Sequence, residues 1–329
     1  MKKYTLKKAT FAQDVPAEPR KTFLIDYKNQ LNPAQYEAVT SVDGPHLIIA
    51  GAGTGKTRTV TYRVAYLVEL GVKPESILLL TFTRRAAQEM LRRATMLLDA
   101  RCEKVAGGTF HSFANIILRQ YAPLIHFESS FTILDQGDAE DVVNLLRTQM
   151  KFDTGKRRFP RKQTLFDMFS KSVNTRVAIA DLLKEDYPHY QKLLDDILAI
   201  QAAYTTYKTK HNLMDYDDLL IHLRTLLANH DRVRHALADR YKYVMVDEYQ
   251  DTNKIQAEIV RLLAGRNRNV MVVGDDSQSI YSFRGATIRN ILEFPEEYPG
   301  CKIIKLEENY RSTQPILNLT NEILRRARD

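Results

Sequence analysis

The apolar positions of this chain alternate between two habits. Short runs, Leu47-Ile48-Ile49, Ile77-Leu78-Leu79-Leu80, Tyr243-Val244-Met245-Val246, Val270-Met271-Val272-Val273 and Lys302-Ile303-Ile304-Lys305-Leu306, are bounded by polar residues or glycine. Runs of that length are too short for helices and predict buried strands. Val105-Ala106-Gly107-Gly108-Thr109 holds the same place in the pattern with smaller side chains. Between them lie segments of helical spacing, one beginning at Arg58 and carrying Val60, Val64, Leu67 and Val68, another of helix formers from Arg84 to Leu91. Strands alternating with helices predict an α/β fold on an open sheet, with ligand loops at the carboxyl ends of the strands.

From about residue 116 to 213 the strand-like runs vanish and helical spacing takes over, as in Ile116-Ile117-Leu118, Val142-Val143, Leu145-Leu146, Leu193-Leu194 and Ile197-Leu198. This predicts a helical insertion between sheet strands, and Asp215-Tyr216-Asp217-Asp218 marks the return. At the amino end, residues 1 to about 28 read as a basic, mobile extension, and ordered structure is expected from Leu31. There Asn32 caps a helix with Pro33 in its first turn.

The strand ends carry the candidate chemistry. Leu47-Ile48-Ile49 runs into Ala50-Gly51-Ala52-Gly53-Thr54-Gly55-Lys56-Thr57 and then into a helix. Glycines in that place let backbone N–H groups turn toward a polyphosphate, and the helix start adds its positive dipole end. Lys56 would reach the phosphates and Thr57 would offer a hydroxyl to Mg2+. Ala50 stands where the strict pattern has its first glycine. Strand 243–246 ends in Asp247-Glu248, the acidic pair a phosphate-loop hydrolase needs, one acid for the metal and one for the water. Gln35 could read an adenine edge or be a solvated surface amide. Thr81, Phe82 and Thr83 suit a phosphate and a stacked base, although Phe82 reads equally well as core. Thr109, His111 and Ser112 sit where a helix begins, the geometry of a phosphate binder; a lone histidine is more often structural. Gln278 is a candidate γ-phosphate sensor. Tyr281, Phe283 and Arg284 are candidates for base stacking, and Tyr310 and Arg311 for adenine and terminal phosphate.

A net charge of +8 over 329 residues favours a polyanionic partner, nucleic acid first. The basic run Lys151, Lys156, Arg157, Arg158, Arg161 and Lys162, interleaved with Phe152, Phe159 and Phe166, reads either as a single-strand binding surface or as a solvated charged face. Two distant cysteines, Cys102 and Cys301, indicate neither a disulfide framework nor a zinc site and fit a reducing cytoplasm. No apolar run approaches membrane-spanning length, and the basic amino end lacks the apolar core of a secretory signal.

Taken in order, the blocks Leu-Asn-Pro-Ala-Gln (31 to 35), Ala-Gly-Ala-Gly-Thr-Gly-Lys-Thr (50 to 57), Thr-Phe-Thr (81 to 83), Gly-Thr-Phe-His-Ser (108 to 112), Asp-Glu-Tyr-Gln-Asp (247 to 251), Gly-Asp-Asp-Ser-Gln-Ser-Ile-Tyr-Ser-Phe-Arg-Gly-Ala (274 to 286) and Asn-Tyr-Arg-Ser (309 to 312) resemble the superfamily 1 DNA helicases of the UvrD/PcrA/Rep type. The resemblance implies a RecA-like P-loop NTPase parallel sheet domain (29–115 and 214–308) interrupted by a helical insertion domain (116–213), with a second RecA-like domain starting at 309. It implies an ATP- and Mg2+-dependent motor that moves 3′ to 5′ on single-stranded DNA and opens duplex at single-strand/duplex junctions, with no membrane partner. Carried over by position, the nucleotide set is Gln35, Ala52, Gly53, Thr54, Gly55, Lys56, Thr57, Arg58 and Tyr310. Thr57 and Asp247 take the metal. Asp247, Glu248, Lys56, Gln278 and Arg311 form the catalytic set. DNA falls to Thr81, Phe82, Thr109, His111, Tyr281, Phe283 and Arg284. The family often has Trp where Phe283 stands, which makes the stacking surface smaller. Blocks expected after Arg311, including a second arginine for the γ-phosphate, do not occur before Asp329. The expectation is the amino-terminal half of a helicase, with weak ATP binding and poor hydrolysis. A helicase–nuclease subunit and a nucleotide-gated DNA-binding module remain alternatives.

Overall fold

The computed structural model describes residues 23–152, 159–275 and 287–327. Its strands are β1 (His46–Ala50), β2 (Ile77–Thr81), β3 (Ala106–Thr109), β4 (Thr132–Ile133), β5 (Leu213–Met214), β6 (Tyr243–Val246), β7 (Val270–Gly274) and β8 (Lys302–Leu306). Among the described residues β3-β2-β6-β7-β1-β8 form one sheet, every pairing parallel. This is an α/β fold of the RecA-like parallel-sheet class.

Each central strand is apolar on both faces because each face is covered. Leu47, Leu78, Leu80, Val244, Val246, Val270 and Val272 belong to one core cluster. Their neighbours in sequence, Ile48, Ile77, Leu79, Met245, Met271 and Val273, belong to another. Successive side chains of a strand point to opposite faces, so one continuous apolar run feeds two cores. Helix Lys56–Glu69 supplies Val60, Val64, Leu67 and Val68 to the second core. Helices Phe110–Tyr121, Tyr216–Asn229 and Lys254–Ala264 cover the first.

Three differences from the sequence reading have local causes. Helix Lys56–Glu69 begins two residues before Arg58, straight out of the glycine loop. Ordered structure begins before Leu31. Ile25 and Tyr27 are buried with Leu31, Val39, Tyr62 and Ala65, and the Tyr27 hydroxyl donates to Glu69 at 2.7 Å. A tyrosine with a carboxylate partner can be buried inside an otherwise polar segment, a contact invisible to local periodicity. Third, the helical region contains a strand pair, since β4 and β5 run parallel at its two ends. Helix Phe110–Tyr121, which overlaps the start of the sequence-predicted insertion, packs into the sheet core through Phe113, Ile117 and Leu118. The separate helical core runs from Leu134 to Tyr204. No helix among the described residues is long and apolar enough to cross a membrane.

Candidate nucleotide and nucleic-acid site

All six sheet strands deliver their carboxyl ends to one edge. β1 lies between β7 and β8, so the loop after Ala50 is flanked by the residues that follow Gly274 and Leu306. Gly53 and Gly55 adopt φ of 80° and 91°. Neither tolerates a side chain. A Cβ on Gly55 would lie 2.6 Å from Gln35 Nε2, and one on Gly53 2.7 Å from Arg311 Cβ. The helix after the loop starts with no side-chain cap, whereas the helices at Pro33, Arg84, Phe110, Tyr216 and Lys254 each have one. Its first-turn N–H groups are therefore left for an anion, which the helix dipole also favours.

Gln35 is not the solvated amide that the sequence left open. It is 2% exposed, its Nε2 donates to the Thr54 carbonyl at 3.0 Å, and its Oε1 accepts from Asn32 N at 3.4 Å. A glutamine three residues after the cap folds back toward the helix start. Here that fold carries the amide onto the phosphate loop. Thr54 is held from a second side, donating its hydroxyl to the Gly51 carbonyl at 2.8 Å.

The block after β8 closes over the same loop. Asn309 Nδ2 donates to the Ala52 carbonyl at 2.6 Å and Tyr310 N to the Gly53 carbonyl at 2.9 Å. The Tyr310 hydroxyl accepts from Asn32 Nδ2 at 2.9 Å and donates to Glu308 at 2.5 Å, leaving the ring 63% exposed beside the loop. Arg311 starts directly above Gly53. Arg58 stands apart: its guanidinium donates to Gln30 O and the Tyr62 hydroxyl, with the Tyr62 ring 4.7 Å beneath it.

β6 places the acidic pair. Asp247 donates its N–H to Leu80 O at 2.9 Å and is 5% exposed. Its Oδ1 finds no hydrogen-bond partner among the described residues. Burial first, then the neighbouring Glu248, push this carboxyl up to about 7. A buried carboxylate with an unused acceptor is suited to a cation. Glu248 adopts φ 52° and ψ 48°, a left-handed conformation uncommon outside glycine. Its Oε2 lies 3.3 Å from Lys56 Nζ and accepts from Gln250 Nε2 at 2.7 Å. Lys56 and Glu248, two strands apart in the sheet, thus meet across the end of β7.

A cavity of about 790 Å³ opens beside this pair. One wall is the strand-end set Thr81, Phe82, Thr109 and His111; the opposite wall includes Phe166, Lys171 and Asn174 from helix Lys162–Thr175; Asp247, Glu248 and Asp251 join both to the acidic site. The four residues of the first wall that the sequence assigned to DNA are therefore brought together with Asp247 and Glu248. Thr109 already spends its hydroxyl as a helix cap, accepting from Ser112 N at 3.2 Å. The Thr81 hydroxyl is buried without a partner among the described residues. The His111 ring packs edge-on against Tyr216, and burial lowers its basicity, so it offers a neutral ring rather than a fixed charge. Asparagine side chains tie the far wall to the acidic segment. Asn174 donates to Asp217 at 2.8 Å and accepts from Asn253 Nδ2 at 2.7 Å.

Gln278, Tyr281, Phe283 and Arg284, with Lys156, Arg157 and Arg158, lie outside the described residues. The rest of the basic run does not form an open stacking platform. Phe152 stacks on Phe159 at 5.1 Å, both pack with Phe166 against the helical core, and Lys162 pairs with Asp141 at 2.5 Å. Sequence reasoning missed Asn309 and Gln250, whose roles depend on strand order rather than on local pattern.

The UvrD/REP helicase N-terminal domain model matches residues 31–299. Over 298 residues the chain is 39% identical to the ATP-dependent DNA helicase PcrA of Staphylococcus aureus, covering 90% of this chain and 40% of that protein. The PcrA of Staphylococcus epidermidis is 40% identical over 296 residues with the same coverage. The chain thus spans less than half the length of these relatives. A match across most of its length, over a sheet whose edge carries the phosphate loop and the acidic pair, places the chain in the UvrD/REP helicase family.

Proposed function

We propose that this chain is the ATP- and DNA-binding portion of an ATP-dependent DNA helicase that translocates 3′ to 5′ on single-stranded DNA and opens duplex at a junction. The carrying observation is the meeting of Lys56 with Glu248 beside Asp247 Oδ1, which has no hydrogen-bond partner among the described residues, under an uncapped helix start. The residues fit a Mg2+–nucleotide: a buried carboxylate with a spare acceptor, and a Thr57 hydroxyl that makes no hydrogen bond with a described residue. Thr57 and Asp247 would hold Mg2+, which when bound neutralises charge on the transferring phosphoryl group. The first-turn N–H groups cradle the phosphates, and Lys56 leaves Glu248 for them. Glu248, freed of its cation, orients the attacking water and accepts its proton. Tyr310 gives the adenine a ring, and Arg311 gives the terminal phosphate a charge. Phe82, with Thr81, Thr109 and His111, meets the strand. The helices from 136 to 210 act as an insertion domain over it, and the block from 309 opens a second RecA-like domain.

The test is ATP hydrolysis and binding of a fluorescent ATP analogue, each with and without single-stranded DNA, against Lys56→Ala. Slow hydrolysis that Lys56→Ala lowers by about 100-fold or more supports the reading. Binding and turnover indifferent to Lys56 would contradict it.

A further inference from the structure

Glu248 is gripped from two directions, and only one of them belongs to the phosphate-binding machinery. Lys56 must turn to the phosphates when nucleotide binds, which removes its hold on Oε2. The other hold is Gln250. Its Nε2 donates to Glu248 Oε2 at 2.7 Å, and its Oε1 accepts from the main-chain N–H of Asp275 at 3.0 Å. The amide is 2% exposed. It is pressed against the end of β7 so closely that a Cβ on Gly274 would lie 2.9 Å from its Oε1. No described residue hydrogen-bonds to Glu248 Oε1, and the side chain keeps 34% of its surface. One carboxylate oxygen is tethered, and the other makes no hydrogen bond with a described residue.

We propose that Gln250 is the positioning residue of the hydrolytic step: it holds Glu248 Oε2 after Lys56 has left, so that Oε1 stays aimed at the attacking water. The same amide ties that aim to the main chain at Asp275, the first residue past β7. A side-chain amide suits the task because it donates at one end and accepts at the other. A carboxylate in its place would repel Glu248, and an alkyl group would hold neither end. This assignment rests on the proposed ATP hydrolysis and deepens it.

The experiment is single-turnover ATP hydrolysis with the chain in excess, together with the Kd of a fluorescent ATP analogue, for the parent, Gln250→Ala, Gln250→Glu and Glu248→Gln. It also includes the double variant Gln250→Ala/Glu248→Gln. Circular dichroism and thermal melting establish that each variant is folded. Gln250→Ala and Gln250→Glu are expected to slow hydrolysis by about 10- to 100-fold with nucleotide Kd within about twofold of the parent. Gln250→Glu separates the two ends, since it can still accept from Asp275 N–H but cannot donate to Glu248. In the Glu248→Gln background, Gln250→Ala is expected to add no further loss, because a positioning residue acts only through the group it positions. Losses that multiply in the double variant, parental turnover in Gln250→Glu, or a Kd that weakens as much as turnover falls would each overturn the assignment. Absence of Lys56-dependent hydrolysis in the parent would instead overturn the functional reading on which it rests.

Discussion

One sheet edge carries two surfaces built from different material. Over β7, β1 and β8, what is offered to a ligand is mostly main chain: an uncapped helix start and a glycine loop whose carbonyls are occupied by Gln35, Asn309 and Tyr310. Over β3, β2 and β6, the cavity is walled by side chains, among them Phe82, His111 and Phe166, which come from separate parts of the chain. The first surface fixes its geometry within a few residues and asks for charge. Its counterpart is assembled across the fold and offers rings and amides. Asp247 and Glu248 belong to both. On the proposed function, nucleotide and nucleic acid would share this wall and otherwise draw on different residues, which would make them separable by substitution.

The largest effect should come from that shared wall. Glu248→Gln is expected to lower ATP turnover by about 100- to 1,000-fold while leaving nucleotide and DNA affinity within about twofold, read by steady-state hydrolysis beside two binding titrations. Next, Phe82→Ala should weaken single-stranded DNA binding by about 1–3 kcal/mol and leave nucleotide affinity unmoved. Fluorescence anisotropy of a labelled oligonucleotide checks it; equal losses of both ligands would erase the distinction between the surfaces. Gln35→Ala sharpens the comparison from the other side. It removes the loop's hold on Thr54 and a helix-capping contact, a cost of about 1–2 kcal/mol in urea unfolding. ATP binding should loosen and DNA binding should not.

The smallest effect concerns two buried histidines, His46 at the start of β1 and His222 in helix Tyr216–Asn229. Burial, with the Arg63 charge nearby, lowers His46 from 6.5 to about 4, and burial lowers His222 to about 4 as well. A base depressed in the folded state stabilises the fold above its unfolded value, and that contribution is lost as pH falls from 6.5 through 4. Asp247 has the reverse sign: a raised acid adds stability that is lost as pH climbs from 3.8 through about 7. Asp218 and Asp251, both raised to about 6, act in the same sense as Asp247, so the check is made variant by variant: in urea unfolding between pH 7 and 4.5, His46→Gln should lose part of the acid-side fall in stability, and Asp247→Asn should lose part of the opposing slope.

What the sequence disclosed follows the same division. The glycine loop, the strand before it and Asp247-Glu248 were legible because each depends on neighbours in sequence. The apolar runs at 47–49, 77–80, 243–246 and 270–273 became central strands because two covered faces demand unbroken apolar stretches. Strand order was not legible, and with it went everything that depends on adjacency: Gln35 lodged under Gly55, Asn309 on Ala52, Gln250 bridging Glu248 to Asp275. The rings at 152 and 159 misled for a related reason. Rings interleaved with basic residues serve a core as readily as a base-stacking surface, and only the packing distinguishes them.

The shared wall is tested most directly by the affinity of the chain for a labelled single-stranded oligonucleotide with and without saturating non-hydrolysable ATP analogue and Mg2+, in the parent and in Lys56→Ala. The parent's affinity should shift several-fold, by roughly 1 kcal/mol or more, when nucleotide binds, and the shift should vanish in Lys56→Ala while nucleotide-free DNA affinity is retained. An affinity that ignores nucleotide in the parent, with nucleotide binding independently demonstrated, would contradict the account.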